Sequence, residues 1–190
     1  MIGTVILAAG ESKRMGVQKL LLEINGKPMI EHVIESFKGI VDEIIVVLGH
    51  RPEKLIPALE KLGVKWTINF NYQDGMTSTF KEGLKELENF DAVFLALGDQ
   101  PFLDRNFLNK AIESWKSGAK VVSPIFRGKK GHPVLFDRSL FGEILSLEKN
   151  QFIRDVIHKH RENLCVIESG EWAITDIDTK EDLEAIRQRF

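Results

Sequence analysis

The stretch LAAGESKRMGVQK, residues 7–19, holds the densest chemistry near the start of the chain. Lys13, Arg14 and Lys19 against Glu11 leave a local charge of +2, and Gly10 and Gly16 let the backbone turn so that its N–H groups face a ligand. Basic side chains on a glycine-punctuated loop suit an anion, a phosphate chain above all. The loop fits neither familiar phosphate signature. Gly10 and Gly16 are separated by five residues and Val17 follows, where a Walker A loop needs four and then Gly-Lys-Ser/Thr. Glu11 and Ser12 after Gly10 break the Gly-x-Gly of a dinucleotide fingerprint. By spacing alone the loop is either an anion cradle or a solvated connection.

Carboxylates form the second group. In LGDQPFL, 97–103, Asp99 follows an apolar run directly, and Pro101 forces Gln100 into an extended or turn conformation. An aspartate there can hold Mg²⁺ against phosphate oxygens or serve a turn. In TDIDTKEDLEAI, 175–186, Asp176 and Asp178 alternate on an extended segment and so share a side. Thr179, Glu181 and Asp182 read as helix-start chemistry, which leaves the two earlier carboxylates to explain; one of them could complete a metal site with Asp99. Gly75, Thr77 and Ser78 in DGMTSTFKEGL can read a base or ribose, or cap a helix. Arg127, Lys129, Lys130 and His132 in RGKKGHPVLF can form an anion-binding flap or an exposed hairpin. His32, His50, His158 and His160 show no metal-ligand pattern, and no Ser-His-Asp or Cys-His arrangement is supported.

The elements that must position these groups are legible as alternating strand-length apolar runs and helix-length amphipathic stretches. Strands are predicted at 3–9, 43–48, 64–70, 92–97, 120–126 and 133–136, with late strands in LCVIE and AITDI. Helices are predicted at 29–37, 52–62 with Pro57 as an irregularity, 77–87, 105–117, about 138–146 and 151–159, and 180–189. This alternation calls for an α/β fold with a parallel-rich sheet covered on both faces, and such sheets bind ligands beyond the carboxyl ends of their strands. The loops 71–78 and 126–133 fall at that edge.

The 190 residues suit a single domain, 1–190. With 43% hydrophobic and 28% charged residues the chain is of ordinary globular composition, and the net charge of −2 argues against a general nucleic-acid binder. No apolar stretch approaches the roughly 20 residues of a membrane span, and the start of the chain lacks the positive n-region of a signal peptide. Cys165, the one cysteine, sits in an apolar strand and reads as core. A cytoplasmic protein without nucleic-acid or membrane partners follows.

Taken in order, LAAGESKRMGVQKLLLEINGKPMIEHVI, DGMTSTFKEGL, ALGDQPFL, GHPVLF and DIDTKEDL resemble the nucleotidyltransferases of the MobA/MocA type, closest to the MocA branch, the molybdenum cofactor cytidylyltransferases. The resemblance spans Val5 to about Ile186. It implies a Rossmann-like nucleotidyltransferase fold, a GT-A-like three-layer sandwich with a mostly parallel mixed sheet. It implies that Leu7, Ala8, Ala9 and Gly10 contact the nucleotide, that Arg14 and Lys19 neutralise the triphosphate, and that Ser78 lies near base and ribose. Asp99 and Asp178 match the two metal positions, with Asp176 as the other choice for the second. Gly131 and His132 match the region facing the acceptor, and Arg154 can match an arginine on that side. Ala9 matches the Leu-Ala-Ala-Gly of the CTP-using branch, where GTP-using relatives tend to read Leu-Ala-Gly-Gly. The implied cofactor is Mg²⁺ and the implied partners are CTP and a molybdopterin-type or other phosphorylated acceptor, with transient contact to a molybdoenzyme or cofactor-delivery protein. The chain departs from the pattern at Lys180, where the family usually has proline, and in LEKNQFIRDVI, which lacks two glycines the family often carries. A nucleotidyltransferase acting on a sugar phosphate or other phosphorylated small molecule, and a non-catalytic carrier of the molybdopterin cofactor, are the competing readings.

Overall fold

The computed structural model describes residues 1–12 and 17–187. In chain order its elements are β1 (Ile2–Ala8), the hairpin of β2 (Glu23–Ile24) and β3 (Lys27–Pro28), α1 (Met29–Phe37), β4 (Glu43–Leu48), α2 (Ile56–Leu62), β5 (Lys65–Ile68) and α3 (Met76–Lys85). Then come β6 (Ala92–Leu97), α4 (Arg105–Lys116), β7 (Val121–Phe126), β8 (Lys129–Lys130), β9 (Val134–Asp137), α5 (Phe141–Ser146), α6 (Ile153–Lys159), β10 (Leu164–Glu168) and α7 (Lys180–Arg187). Among the described residues the main sheet runs β10-β7-β9-β6-β1-β4-β5, with β8 paired to β7. Parallel pairing joins β1 to β4 and β6, β4 to β5, and β7 to β10; β9 runs against both its neighbours, and β8 against β7. The expected mostly parallel mixed sheet is present.

The continuous apolar runs follow from coverage on both faces, which leaves no side of a strand for water. Along β6, Ala92, Phe94 and Ala96 join one core with residues of α1, α4 and α7, while Val93 and Leu95 join another with residues of α3, α5 and α6. Each fully buried large side chain, such as Phe37, Phe80, Phe94 or Phe136, is worth about 1.5–3 kcal/mol. Close approach of α3 to the sheet requires Gly83: a Cβ there would meet Val5 Cγ1 at 2.4 Å and Val47 Cγ2 at 2.7 Å.

Several expectations are corrected. The stretch 52–62 is not one helix: a 3₁₀ turn at Pro52–Lys54 is followed by α2, with Pro57 in its first turn where a missing N–H costs nothing. AITDI is not a strand. Residues Glu171–Ile174 form a 3₁₀ turn, and the Ile177 N–H bonds the Asp99 carbonyl instead of a ladder partner. Cys165 is half-buried in the edge strand β10 rather than core. Loop 126–133 carries β8. Capping of α3 comes from Gly75, at φ +93°, with no side-chain hydrogen bond, while the Ser78 hydroxyl donates to the Asn71 carbonyl.

Gly83→Ala is expected to cost about 1–3 kcal/mol by overpacking, whereas Gly142→Ala, with open space around it, leaves stability unchanged or raised; urea unfolding of both checks this. A pH prediction comes from Asp137, which ties β9 to the Trp115 indole at 2.8 Å and the Lys120 ammonium at 3.0 Å. Burial alone would raise its pKa, but donation from Ser139, Trp115 and Lys120 outweighs this and lowers it from 3.8 to about 2. A lowered folded pKa means stability present above the ordinary carboxylate range and lost as pH falls from 3.8 towards 2. The melting-temperature gap between wild type and Asp137→Asn should therefore be wide at pH 6 and narrow over that interval.

Candidate functional site

Three segments distant in sequence meet beyond the carboxyl ends of β1 and β6. The first leaves β1 at Ala8 and returns through a 3₁₀ turn, Lys19–Leu21, anchored by the buried Leu20. The second leaves β6 through Gly98, whose N–H donates to the Leu7 carbonyl at 3.0 Å. A Cβ on Gly98 would lie 2.9 Å from that carbonyl oxygen and 3.2 Å from Leu20, so glycine permits the approach that brings Asp99 forward. The third segment is held by the fully buried Ile177 and its backbone bond to Asp99. With Ile177 turned into the core, Asp176 and Asp178 on either side turn out of it. The Asp182 carboxylate accepts from the N–H groups of Asp178 and Thr179, and the Thr179 hydroxyl accepts from the Asp182 N–H, so α7 starts with a reciprocal cap.

At the meeting point the Lys19 ammonium donates to Asp99 Oδ2 and to Asp178 Oδ1, each at 2.7 Å. The side chains are 13%, 22% and 30% exposed respectively, so the contact is neither dry nor freely solvated. Burial works against the Lys19 charge, but the Asp99 charge and hydrogen bonds to Asp178 and Asp99 prevail and raise its pKa above the usual lysine value. Asp176 is held apart from this bridge: its Oδ1 accepts from Gln100 Nε2 at 2.7 Å. Burial first, then the like charges of Asp99 and Asp178, push the Asp176 carboxyl up against the Gln100 bond and Lys19. The sequence left the two aspartates as alternatives; the shared ammonium groups Asp178, rather than Asp176, with Asp99.

Two joined cavities surround the bridge, of about 390 and 460 Å³. Leu7, Gly10, Asp99 and Asp178 line both; Ala8 faces one and Ala9 the other. Thus seven of the nominated residues, Leu7 to Gly10 with Asp99, Asp176 and Asp178, line the two cavities, and Lys19 lines the first. Lys13, Arg14 and Gly16 lie outside the described residues. Ser78 does not join the group. Its hydroxyl accepts from Asn69 Nδ2 at 2.9 Å and lines a separate cleft with Lys81 and Lys85. Thr79, one residue on, faces the larger cavity instead, with Tyr72 and Gln73. Asn69 Nδ2 also reaches Thr79 Oγ1 at 3.1 Å, so one buried amide sets which hydroxyl faces which side. Sequence reading missed Thr79, Tyr72, Gln73 and the Gln100–Asp176 bond; helical phase, with Phe80 and Gly83 on the sheet side, was the available signal for Thr79.

Gly131, His132 and Arg154 come together around a third cavity of about 430 Å³, which shares Met76 with the second. Gly131 is packed so that a Cβ would overlap the Ala173 carbonyl oxygen at 1.9 Å, and the His132 N–H donates to that oxygen at 2.9 Å. Burial lowers the His132 pKa against a backbone bond with Leu95 and the Asp99 charge, so its imidazole is neutral at pH 7.

Residues 4–164 match the family described as the MobA-like NTP transferase domain, and the chain belongs to this family. It is 26% identical to a probable molybdenum cofactor guanylyltransferase of Methanosarcina acetivorans over 96% of this chain and 88% of that protein. It is 25% identical to the molybdenum cofactor cytidylyltransferase of Escherichia coli over 100% of this chain and 97% of that protein. A Mycobacterium tuberculosis protein solved in complex with manganese has the same fold, with a TM-score of 0.81 at 21% identity over 100% of this chain and 99% of that one.

Removing the ammonium takes away the cation that Asp99 and Asp178 share. Lys19→Met is expected to cost about 1–3 kcal/mol at neutral pH. Melting temperatures of the two proteins at pH 7 check this; an unchanged value would mean that the shared ammonium contributes nothing to stability.

Proposed function

We infer that this member of the MobA-like family is an enzyme that transfers a nucleotidyl group, CMP from CTP, to a phosphorylated acceptor of the molybdopterin type and releases pyrophosphate. The observation that carries this reading is the pair Asp99 and Asp178 sharing one cation at the carboxyl edge of the sheet, beside the Leu7–Gly10 loop. Ala9 supports CTP through the resemblance to the cytidylyltransferase branch. The guanylyltransferase relative is as similar as the cytidylyltransferase, so the donor is the first point to test.

Mg²⁺ fits the donor set. The Lys19 ammonium is a stand-in cation already seated between two hard oxygen donors. Among the described residues no group of three or more His, Cys, Asp or Glu could hold a metal ion, so a bound ion would need further oxygen donors from substrate or water. Asp99 and Asp178 would hold the ion, with Asp176 pinned by Gln100; when bound it neutralises charge at the α-phosphate.

An acceptor phosphate oxygen attacks the α-phosphorus and the bond to the β-phosphate oxygen breaks. Both partners are anionic, so neutralisation of charge is the main catalytic demand. Lys19, together with Arg14, supplies it to the triphosphate. The first turn of α3 opens onto the larger cavity at Gly75 and Met76, adding N–H groups that favour an anion. The acceptor phosphate is ionised at neutral pH and needs no general base, which agrees with a neutral His132. The acceptor lies against Gly131, His132 and Arg154 in the third cavity. On this reading the chain is a single-domain cytoplasmic enzyme that transiently meets a molybdoenzyme or a cofactor-delivery protein.

With Mg²⁺ present, CTP should raise the melting temperature more than GTP, ATP or UTP, and pyrophosphate release should require the acceptor. Asp99→Ala should keep the fold and lose about 100- to 1000-fold in turnover. A folded Asp99→Ala protein with near-normal release would overturn the site, and a larger shift with GTP would reassign the donor.

A further inference from the structure

Three carboxylates, those of Asp99, Asp176 and Asp178, line the larger of the two cavities beside the Lys19 ammonium. Asp176 and Asp178 stand on either side of the buried Ile177, whose N–H ties their segment to the Asp99 carbonyl at 3.1 Å. Yet among the described residues no group of three or more His, Cys, Asp or Glu could hold a metal ion. The Gln100 amide holds the third carboxylate apart: its Nε2 donates to Asp176 Oδ1 at 2.7 Å. Gln100 is itself fixed. It is 2% exposed, its N–H donates to the Leu97 carbonyl at 3.4 Å, and Pro101 restricts its backbone.

The same amide is poorly explained as a stabilising group. Among the described residues its Oε1 is buried without a hydrogen-bond partner, an unfavourable state for an acceptor. A methionine has similar length and needs no partner. What an amide adds at this place is the donor for Asp176.

We propose that Gln100 is a positioning residue that keeps Asp176 out of the ligand set of the divalent ion, so that the protein alone offers two carboxylates and holds the ion firmly only together with the triphosphate. The charge and number of oxygen ligands set how tightly such a site binds, and Mg²⁺ that is shared with phosphates is held through one or two protein carboxylates. A third would take a coordination position that phosphate oxygens need. It would also add negative charge where an anion has to enter. This role rests on the reading that Asp99 and Asp178 hold the ion, and it has an unusual sign: removing Gln100 strengthens metal binding.

Mn²⁺ titrated into the full chain without nucleotide, with the free ion counted by electron paramagnetic resonance, tests this. Folded Gln100→Met should bind Mn²⁺ at least about threefold more tightly than wild type, a gain that mere loss of a structural contact would not produce. Asp176→Asn, whose amide oxygen can still accept from Gln100, should weaken binding less than about threefold. The double variant Gln100→Met/Asp176→Asn should lose the gain. Lys19 is the same in every variant, so its competition with the ion cancels from the ratios. A smaller gain in Gln100→Met, a gain that survives in the double variant, or a larger loss in Asp176→Asn would each overturn the proposal, and the last applies even if Gln100→Met does not fold. Asp178→Asn, measured alongside, should weaken Mn²⁺ binding at least about tenfold. If it does and Gln100→Met brings no gain, only the Gln100 role falls; a smaller loss in Asp178→Asn removes the metal site itself.

Discussion

One ammonium shared by two carboxylates holds the site in shape. Each of the three charges is largely withdrawn from water, and alone each would carry a desolvation penalty with nothing to offset it. Together they cost little, provided that the exit of β1, the exit of β6 and the segment before α7 arrive within bonding reach. Apparently unrelated features answer to that condition. Gly98 is small because a side chain would separate β6 from Leu7 and Leu20. Ile177 is buried because its anchoring turns its acidic neighbours outwards.

The direction of β9 divides the site into its two chemical halves. A sheet with only parallel strands would begin every strand at the edge opposite the ligand. β9 runs against β6, with Val134 opposite Leu95, so it begins at the ligand edge and its leading residues lie beside the end of β6. This carries Gly131 and His132 near Asp99 although more than thirty residues of chain intervene. The larger of the two cavities beside the shared ammonium and the apolar-floored cavity at Gly131 and His132 then meet at Met76.

How much of this the residues announced in advance depended on range. Apolar runs covered on both faces marked β4 and β6 to the residue, and helical spacing did the same for α1. Where local pattern and tertiary demand diverged, prediction failed. Alternation in AITDI suggested a strand, yet Ala173 and Ile177 are buried singly, and the backbone bonds Asp99. Asp99, Asp178 and Lys19 could be nominated by type and by family likeness, but nothing local said that they touch, because the contact spans most of the chain. Ser78 was nominated, and Thr79, one helical residue or about 100° of rotation further on, is the hydroxyl that faces the larger cavity.

The partners of the shared ammonium lie 80 and 159 positions from Lys19 along the chain. During synthesis at about 5–20 residues per second, on the order of ten seconds or more passes between the emergence of Lys19 and that of Asp178. The parallel heart of the sheet, β5-β4-β1-β6, is complete in sequence by Leu97, so the nascent protein can acquire its scaffold well before its chemistry. Lys19 spends that interval with at most one of its two carboxylates, and a chain released before Asp178 has the main sheet without the second half of the bridge. The bridge therefore waits on Asp178 long after the strands that lead to Lys19 and Asp99 have been made.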